Sequence, residues 1–565
     1  MLSFLGPVTQ SLSVDSIKNT ILAVLAAHFI FSRIGGGGGR GGWKCIFNAV
    51  VSLSSKTIPG VAGVIEKEKR TALKDIEKDL LGDGDPSANR KIPLQGIGKK
   101  DIVATGEALV QGHQGYKEGK KWGGIYHMNK DDGLTGVQAE FWKLFNSTNT
   151  LYPGVFPAVR KMEAELVEMT TNMVYGECGL LSSGGTESIL LAILAYRQAG
   201  LKRGIDSPNV IVGCTAHPAV AKAGFYFGVK IVKVPVDSVT QAMTAKTVQG
   251  VINKDTVAIY ASAPTFPHGV IDPIEELGQL ALKYRIGLHV DNCLGGFLAS
   301  YLEKSGKVKT FDFRVPGVTT MSVDLHKYGG CGKGVSVCVF GDKGLRKLTY
   351  CPSFDGCEGL YVTPTMQGSR SGATIAQAWA SVMHHGENGY AKVAAEIDDI
   401  TKRAIEGVKK IPSIEPLLIP DCAILPLKAS KESKLNIYSI ASQVSHFSRL
   451  DETQTAQSWK NLLTLRYIQM EKRGWNMFTG TNPPTLGLCI GEIHKTVLKT
   501  WLDDLEQSVE HVKKHPNEKI VGNAGVYGAM NTIPDNLLDE ILREYVDITL
   551  TVKEVQKVKE VQKKT

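Results

Sequence analysis

The chain has 565 residues, 43% of them hydrophobic, enough to bury a large core and to divide into more than one domain. Its formal charge of +9, from 65 Lys and Arg against 56 Asp and Glu, is modest for that length, and no basic stripe with interleaved aromatics marks a nucleic-acid surface. Ten cysteines without a CxxC pair or zinc-like spacing exclude an obvious metal site or disulfide framework and predict free thiols in a reducing compartment.

Residues 17–34, "IKNTILAVLAAHFIFSRI", are mostly apolar. As a helix they would reach about 27 Å, just short of a bilayer core of about 30 Å. The segment reads as a marginal transmembrane anchor. Arg40 and Lys44 on its C-terminal side would leave the bulk of the chain in the cytosol. A buried or surface amphipathic helix is the competing reading. A cleaved signal peptide is disfavoured, because no basic region precedes the apolar run and "GGGGGRGG" follows it.

The charged stretch "GVIEKEKRTALKDIEKDLL" then predicts an exposed helix with many opposite-sign neighbours, broken by "GDGDPSANRKIP". Between residues 106 and 157 glycines and aromatics follow no period, so no regular element is predicted there. From about Met162 helices and strands alternate. "GGTESILLAILAYRQAG" reads as a helix stopped at Gly200, followed by the strands "NVIVG", "GVKIVKVPV", "TVAIYASA" and "IGLHVD" with helical stretches between them. That alternation predicts βαβ units, a mostly parallel sheet, and functional residues at strand ends.

After Gly386 long helical stretches and two short strands, "CAILPLKA" and "TLGLCIG", predict a smaller α+β domain. In "HKTVLKTWLDDLEQSVEHVKK" an apolar stripe runs through Val497, Leu498, Trp501, Leu502, Leu505, Val509 and Val512. The expected segments are 1–60, with the candidate anchor and a Gly-rich linker; 61–160, a helical arm; 161–385, a large domain; 386–550, a small domain; and 551–565, a basic tail.

Four features sit where chemistry is expected. "SSGGTES" opens a helix with two glycines and hydroxyls, a place suited to a phosphate, although an ordinary capped helix start looks the same. "LHVDNCLGG" ends a strand in Asp291, able to pair with a cationic ligand nitrogen or simply to cap a helix. "TAHPA" places His217 where its ring could stack on a flat ligand, and "VDLHKYGGCGKG" places Lys327 in a glycine-rich turn. Singly each has a structural explanation. Together they are the groups that hold pyridoxal 5'-phosphate as a Schiff base.

The order "SSGGTES", "TAH", "SAPTFPHGVIDPI", "LHVDNCLGGF", "VPGVTTMSVDLHKYG" and "GSRSG" resembles sphingosine-1-phosphate lyases, fold-type I pyridoxal-phosphate enzymes related to the group II amino-acid decarboxylases. The resemblance runs from about Lys91 to Lys513 and is specific in "FPHG", "CLGGF" and "FPAVRKMEAELVEM". It implies an α/β fold with a mostly parallel sheet, a small C-terminal α+β domain and an N-terminal membrane anchor. It implies that Lys327 binds the cofactor covalently, that Asp291 pairs with its ring nitrogen, and that His217 stacks on the ring. Gly184, Gly185 and Thr186 would bind its phosphate, with His326 beside the lysine. Lys333 would lie near the substrate phosphate. Tyr126 and Asn149 would border the substrate, commonly from the partner subunit of a homodimer.

Three departures stand out. Tyr152, in "NTLY", replaces a family histidine in substrate binding, and a phenol is neutral where an imidazole can be charged. Trp122 stands where a small residue is usual, and Gly487 where a histidine is frequent. Residues 445–466 look like an insertion.

The implied activity is cleavage of a phosphorylated long-chain 2-amino-3-hydroxy base between C2 and C3, at an endoplasmic reticulum membrane with the catalytic domain facing the cytosol. Its general base is open among Tyr126, Lys327 and a phosphate oxygen. Two alternatives compete. One is an amino-acid decarboxylase, with Arg370 of "GSRSG" available for a carboxylate; the other is a catalytically weak, membrane-anchored homologue.

Overall fold

The computed structural model describes residues 88–111, 117–121, 124–126, 133–355, 357, 359–433, 435–440, 470, 473–515 and 535–553, with part of 66–82. The candidate anchor at 17–34, Trp122 and the insertion at 445–466 lie outside the described residues. Among those described, no helix is long and apolar enough to cross a membrane, and no cysteine is in a disulfide. The chain divides into two units. One comprises 1–113, 442–468 and 519–565; the other comprises 114–441 and 469–518.

The second unit is built on a seven-stranded sheet. Its strands are β1 (Cys178–Ser182), β2 (Asn209–Gly213), β3 (Lys230–Val234), β4 (Thr256–Ser262), β5 (Gly287–Asn292), β6 (Thr320–Asp324) and β7 (Ser336–Phe340), in the order β1-β7-β6-β5-β4-β2-β3. Only β7 runs against its neighbours. Sequence periodicity finds β2 to β5. It does not single out β1, β6 and β7, which, like β2 and β4, are buried along their whole length. The edge strand β3 exposes Lys230 and Lys233, charges that discourage pairing with another sheet.

Helices cover the sheet. Gly200, read from the sequence as a helix stop, lies inside the Gly185–Lys202 helix, where a Cβ would come within 2.6 Å of Val257 on β4. Its role is close approach of helix to sheet. The stretch without predicted structure contains the Leu134–Phe145 helix, entered through Gly133 at φ 73°. Its partner is the long Gly372–Val408 helix, where Gln138 donates to Ser381 Oγ at 2.8 Å. Tertiary packing supplies what local periodicity lacks.

The Gly372–Val408 helix kinks at Gly386, whose φ of 59° is non-helical. Beyond it the small domain forms a four-stranded antiparallel sheet, not the two strands expected. These are β8 (Ile414–Pro416), β9 (Ile424–Ala429), β10 (Phe478–Thr481) and β11 (Pro484–Cys489), in the order β10-β11-β9-β8. The two missed strands are the short sheet edges. The His494–Lys514 helix buries Leu498, Trp501, Leu505, Val509 and Val512 of the stripe read from the sequence and leaves Val497 and Leu502 half-buried at its margin.

In the first unit the described residues from Glu66 to Leu81 are helical, as the charge pattern predicts, with Arg70 3.1 Å from Glu66. A helix at Asp535–Thr549 belongs to the same unit: Lys69 pairs with Glu540 at 2.7 Å and Lys553 with Glu77 at 3.3 Å. The Lys99–Gln111 helix also lies there. It corrects the expectation that regular structure stops near residue 106.

Candidate active site

Strand register brings the sequence motifs to one edge of the large sheet. Ser182 at the end of β1 and Asp324 at the end of β6 both pair with Ser336 on β7. Asp291, near the end of β5, pairs with Ser322 on β6 and Ser262 on β4. The parallel strands therefore deliver the helix start, the lysine turn and the aspartate to their C-terminal ends, where α/β sheets place their ligands.

Lys327 Nζ lies 3.0 Å from Asp324 Oδ2, a carboxylate 1% exposed. Burial pulls the Lys327 amine down, but Asp324 and further charge around it outweigh that and hold it above the ordinary lysine range. Burial likewise pushes Asp324 up, yet Lys327 and His326 win and hold it well below the usual carboxylate range. His326 is fixed from both sides. Its Nε2 lies 3.3 Å from Asp324, and its Nδ1 accepts the Gly334 and Val335 N–H groups at 3.2 Å. Asp324 carries the arrangement and was not singled out from the sequence. The signal was its place three residues before Lys327, at the end of an apolar run.

The Gly185–Lys202 helix starts without a side-chain cap. A Cβ on Gly185 would come within 2.8 Å of the Asp324 carboxylate, and one on Gly184 within 3.0 Å of the His326 ring. Glycine is therefore required for this helix to start against the lysine turn. Hydroxyls join the two elements: Ser188 Oγ lies 2.7 Å from Ser182 Oγ and 2.9 Å from Ser336 Oγ, and Ser336 Oγ donates to Val323 O at 3.1 Å. Thr186 stays exposed at the helix start.

Asp291 is buried and accepts from Tyr260 Oη, from Ser322 Oγ at 3.0 Å and from the Cys293 N–H at 3.0 Å. Burial pushes its carboxyl up, but His217, the Tyr260 hydrogen bond and Lys327 outweigh it, so it is held below its ordinary value. His217 Nδ1 accepts the Ala219 N–H at 3.1 Å, which leaves the proton of the neutral ring on Nε2.

Tyr126 is buried, edge-on to Tyr328 with ring centroids 5.1 Å apart, and burial pushes its phenol far above the ordinary range. Lys333 Nζ lies 5.3 Å from the Tyr126 ring centroid and donates to Gly124 O and, at 3.1 Å, to His326 O. Lys327, Asp291, His217, His326, Gly184, Gly185, Tyr126 and Lys333 thus gather in one neighbourhood.

Asn149 and Tyr152 lie in the turns that precede the Pro157–Met173 helix. Asn149 donates to Ser369 Oγ at 2.9 Å and accepts the Arg370 N–H at 3.3 Å, and Tyr152 is 56% exposed. Arg370 is committed to Glu163 through a bidentate pair at 2.5 and 3.1 Å, which removes its charge from use on a substrate carboxylate. Gly487 is explained by packing: a Cβ there would fall 1.9 Å from Phe478 Cζ, so the Phe478 ring occupies that space.

The donor set fits pyridoxal 5'-phosphate. An amine, a carboxylate for a ring nitrogen and an uncapped helix start meet at one sheet edge, and the buried Asp324 Oδ1 has no hydrogen-bond partner within the protein. The model of the pyridoxal-dependent decarboxylase conserved domain matches residues 129–420. A sphingosine-1-phosphate lyase of Dictyostelium discoideum is 33% identical over 520 residues, 90% of this chain and 91% of that protein. Sphingosine-1-phosphate lyase 1 of Rattus norvegicus is 33% identical over 94% of this chain and 88% of its own length. Among solved structures, a sphingosine-1-phosphate lyase of Burkholderia pseudomallei superposes with a TM-score of 0.68 at 30% identity, covering 76% of this chain and 95% of that one. With a third of its residues shared along nearly the whole length of such relatives, and the fold of one of them, this chain belongs to the sphingosine-1-phosphate lyase family.

Proposed function

We propose that the chain is a pyridoxal-phosphate-dependent carbon–carbon lyase. It splits a phosphorylated long-chain 2-amino-3-hydroxy base between C2 and C3, giving a long-chain aldehyde and phosphoethanolamine. The observation that carries this reading is the Lys327 amine, 3.0 Å from a buried Asp324 and at the same sheet edge as Asp291. The bound cofactor supplies an electron sink for the pair released from the C2–C3 bond.

The chain's own residues do the rest. Lys327 is the attachment point for the cofactor, and Asp324 keeps its amine in place. Asp291 would accept from the ring nitrogen, and His217 would lie against the ring. Gly184, Gly185 and Thr186 offer backbone N–H groups to the phosphate, and His326 holds the turn. Tyr126 keeps its proton at neutral pH, because burial raises its pKa, and therefore donates a hydrogen bond instead of acting as base. The C3 hydroxyl proton would pass to a phosphate oxygen or to Lys327 in its neutral amine form, and a proton returned to C2 would complete phosphoethanolamine. Lys333 exchanges its carbonyl partners for the substrate phosphate.

Asn149 and Tyr152 complete the substrate side from a second copy of the chain, in a homodimer with shared sites. Residues 17–34 anchor the enzyme in an endoplasmic reticulum membrane with the catalytic domain in the cytosol. Such an anchor suits a substrate whose acyl tail lies in the bilayer. The committed Arg370 favours the lyase over a decarboxylase. Incubation with a phosphorylated sphingoid base and, separately, with amino acids tests the reading. Aldehyde from the former supports it, and carbon dioxide without aldehyde overturns it. Membrane fractionation of the full chain and of one starting at residue 61 tests the anchor.

A further inference from the structure

Asp291 has more hydrogen-bond donors than its burial requires, and one of them is a tyrosine in the middle of a core strand. Tyr260 on β4 pairs in register with His289 on β5 and is fully buried. An aromatic ring there would pack equally well without a hydroxyl. The hydroxyl instead donates to Asp291 Oδ2, while Oδ1 takes Ser322 Oγ and the Cys293 N–H, both at 3.0 Å. His289 backs this cluster: its ring centroid is 5.2 Å from that of Tyr260, its Nε2 3.3 Å from Ser322 Oγ and its Nδ1 2.8 Å from Thr320 Oγ1. The titratable groups around Asp291 are His217 after β2, Tyr260 on β4, His289 on β5, Cys293 after β5 and Lys327 after β6.

We propose that Tyr260 is a positioning residue that sets how strongly Asp291 holds the proton on the cofactor's ring nitrogen. The inference rests on Asp291 being the partner of that nitrogen. Each hydrogen bond donated to a carboxylate stabilises its charged form and lowers its affinity for a further proton or N–H group. In a dry interior the effect is large, because no water competes. Burial and the Asp291 charge keep the Tyr260 phenol protonated, so it acts only as a donor. Tyr260 therefore shares the carboxylate with the ring nitrogen and weakens its hold on the ring proton.

The test uses the full-length chain loaded with pyridoxal phosphate carrying ¹⁵N in its ring. In Tyr260→Phe the nitrogen resonance moves toward the unprotonated limit, because the more basic Asp291 carboxylate draws the ring proton to itself, while cofactor release does not quicken. Ser322→Ala removes a different donor and shifts the resonance toward the same unprotonated limit, which keeps the test decisive if the Phe variant folds poorly. An unmoved resonance in both variants overturns the inference. So does movement toward the protonated limit, and so does faster cofactor release from both variants, the result of a purely structural role. A wild-type chain that takes up no pyridoxal phosphate overturns the cofactor reading and this inference with it; normal loading with unresponsive variants sinks this inference alone.

Discussion

The Lys327 turn and the Asn149 loop differ in what a single chain supplies. Around Lys327 almost every polar group has a partner in the same chain, from Asp324 and His326 to the donors on Asp291. The Asn149 loop instead hydrogen-bonds to Ser369 and Arg370 and leaves Tyr152 more than half exposed. The first region is rigid by construction: two sheet strands, one helix start and several glycine contacts over-determine it. The second is fastened at its base and open at its tip. One chain organises the surroundings of Lys327 alone, and under the proposed reading the Asn149 loop serves the substrate from a second copy.

The largest effect should come from breaking the first region. Lys327→Ala removes the covalent attachment point and is expected to lower turnover by about four orders of magnitude, with loss of the lysine-bound cofactor's absorbance band. It also leaves the Asp324 charge without its amine, which costs about 3 kcal/mol of stability. Thermal unfolding of the variant without cofactor checks that cost. A variant that keeps the band removes Lys327 from its role. The next test joins the two regions. Chains carrying Lys327→Ala and Asn149→Ala, each inactive alone, should on mixing recover about a quarter of wild-type activity, because half of randomly paired dimers contain one intact composite site of two. No recovery would mean that Asn149 serves its own chain's site.

The same contrast explains what was legible in the sequence. Gly184, Gly185, Asp291 and Lys327 sit at the ends of apolar runs, and strand-end position is a local property, so pattern alone selects them. Tyr260 and Ser322 lie inside strands buried along their whole length, and only strand register shows that they reach the site, whereas Asp324 ends such a strand and carried the same local signal as Asp291. Asn149 and Tyr152 came solely from family resemblance. No periodicity marks their loop, and its order derives from hydrogen bonds of the Asn149 side chain to residues more than 200 positions away. The small domain's edge strands escaped for the same reason, since three or four residues are too few for a period to show.

An intermediate effect should appear in acid, and it concerns the buried region only. Burial holds His268, His289 and His494 down at about 4, so the folded state keeps them neutral. Below the ordinary histidine pKa of about 6.5 the unfolded chain binds more protons, and stability falls as pH drops from there toward 4. At pH 5 each histidine costs about 2 kcal/mol relative to pH 7. Asp272 acts in the opposite sense. Burial raises it to about 6, so it destabilises the fold at neutral pH and less so as pH falls. Its relief offsets part of one histidine, leaving a net loss. Urea unfolding at pH 7, 6 and 5 checks the sign, and His494→Gln should flatten the dependence. Stability that rises toward pH 5 would contradict the burial of these rings as neutral groups.

The smallest predicted effect bears on the open region. Tyr152 offers a neutral phenol where an imidazole could carry charge beside a phosphate, and its exposure leaves room for either ring. If a second chain brings this loop to the substrate, Tyr152→His should raise kcat/KM by about tenfold, the value of one charge-assisted hydrogen bond. The gain should grow as pH falls through the imidazole pKa and shrink with added salt, because both report a charge at the phosphate. A fully exposed loop with no substrate contact gives a different result: equal kcat/KM for both residues at every pH. That outcome would confine the substrate's phosphate to Lys333 and the sheet edge, and one chain would hold both halves of the site.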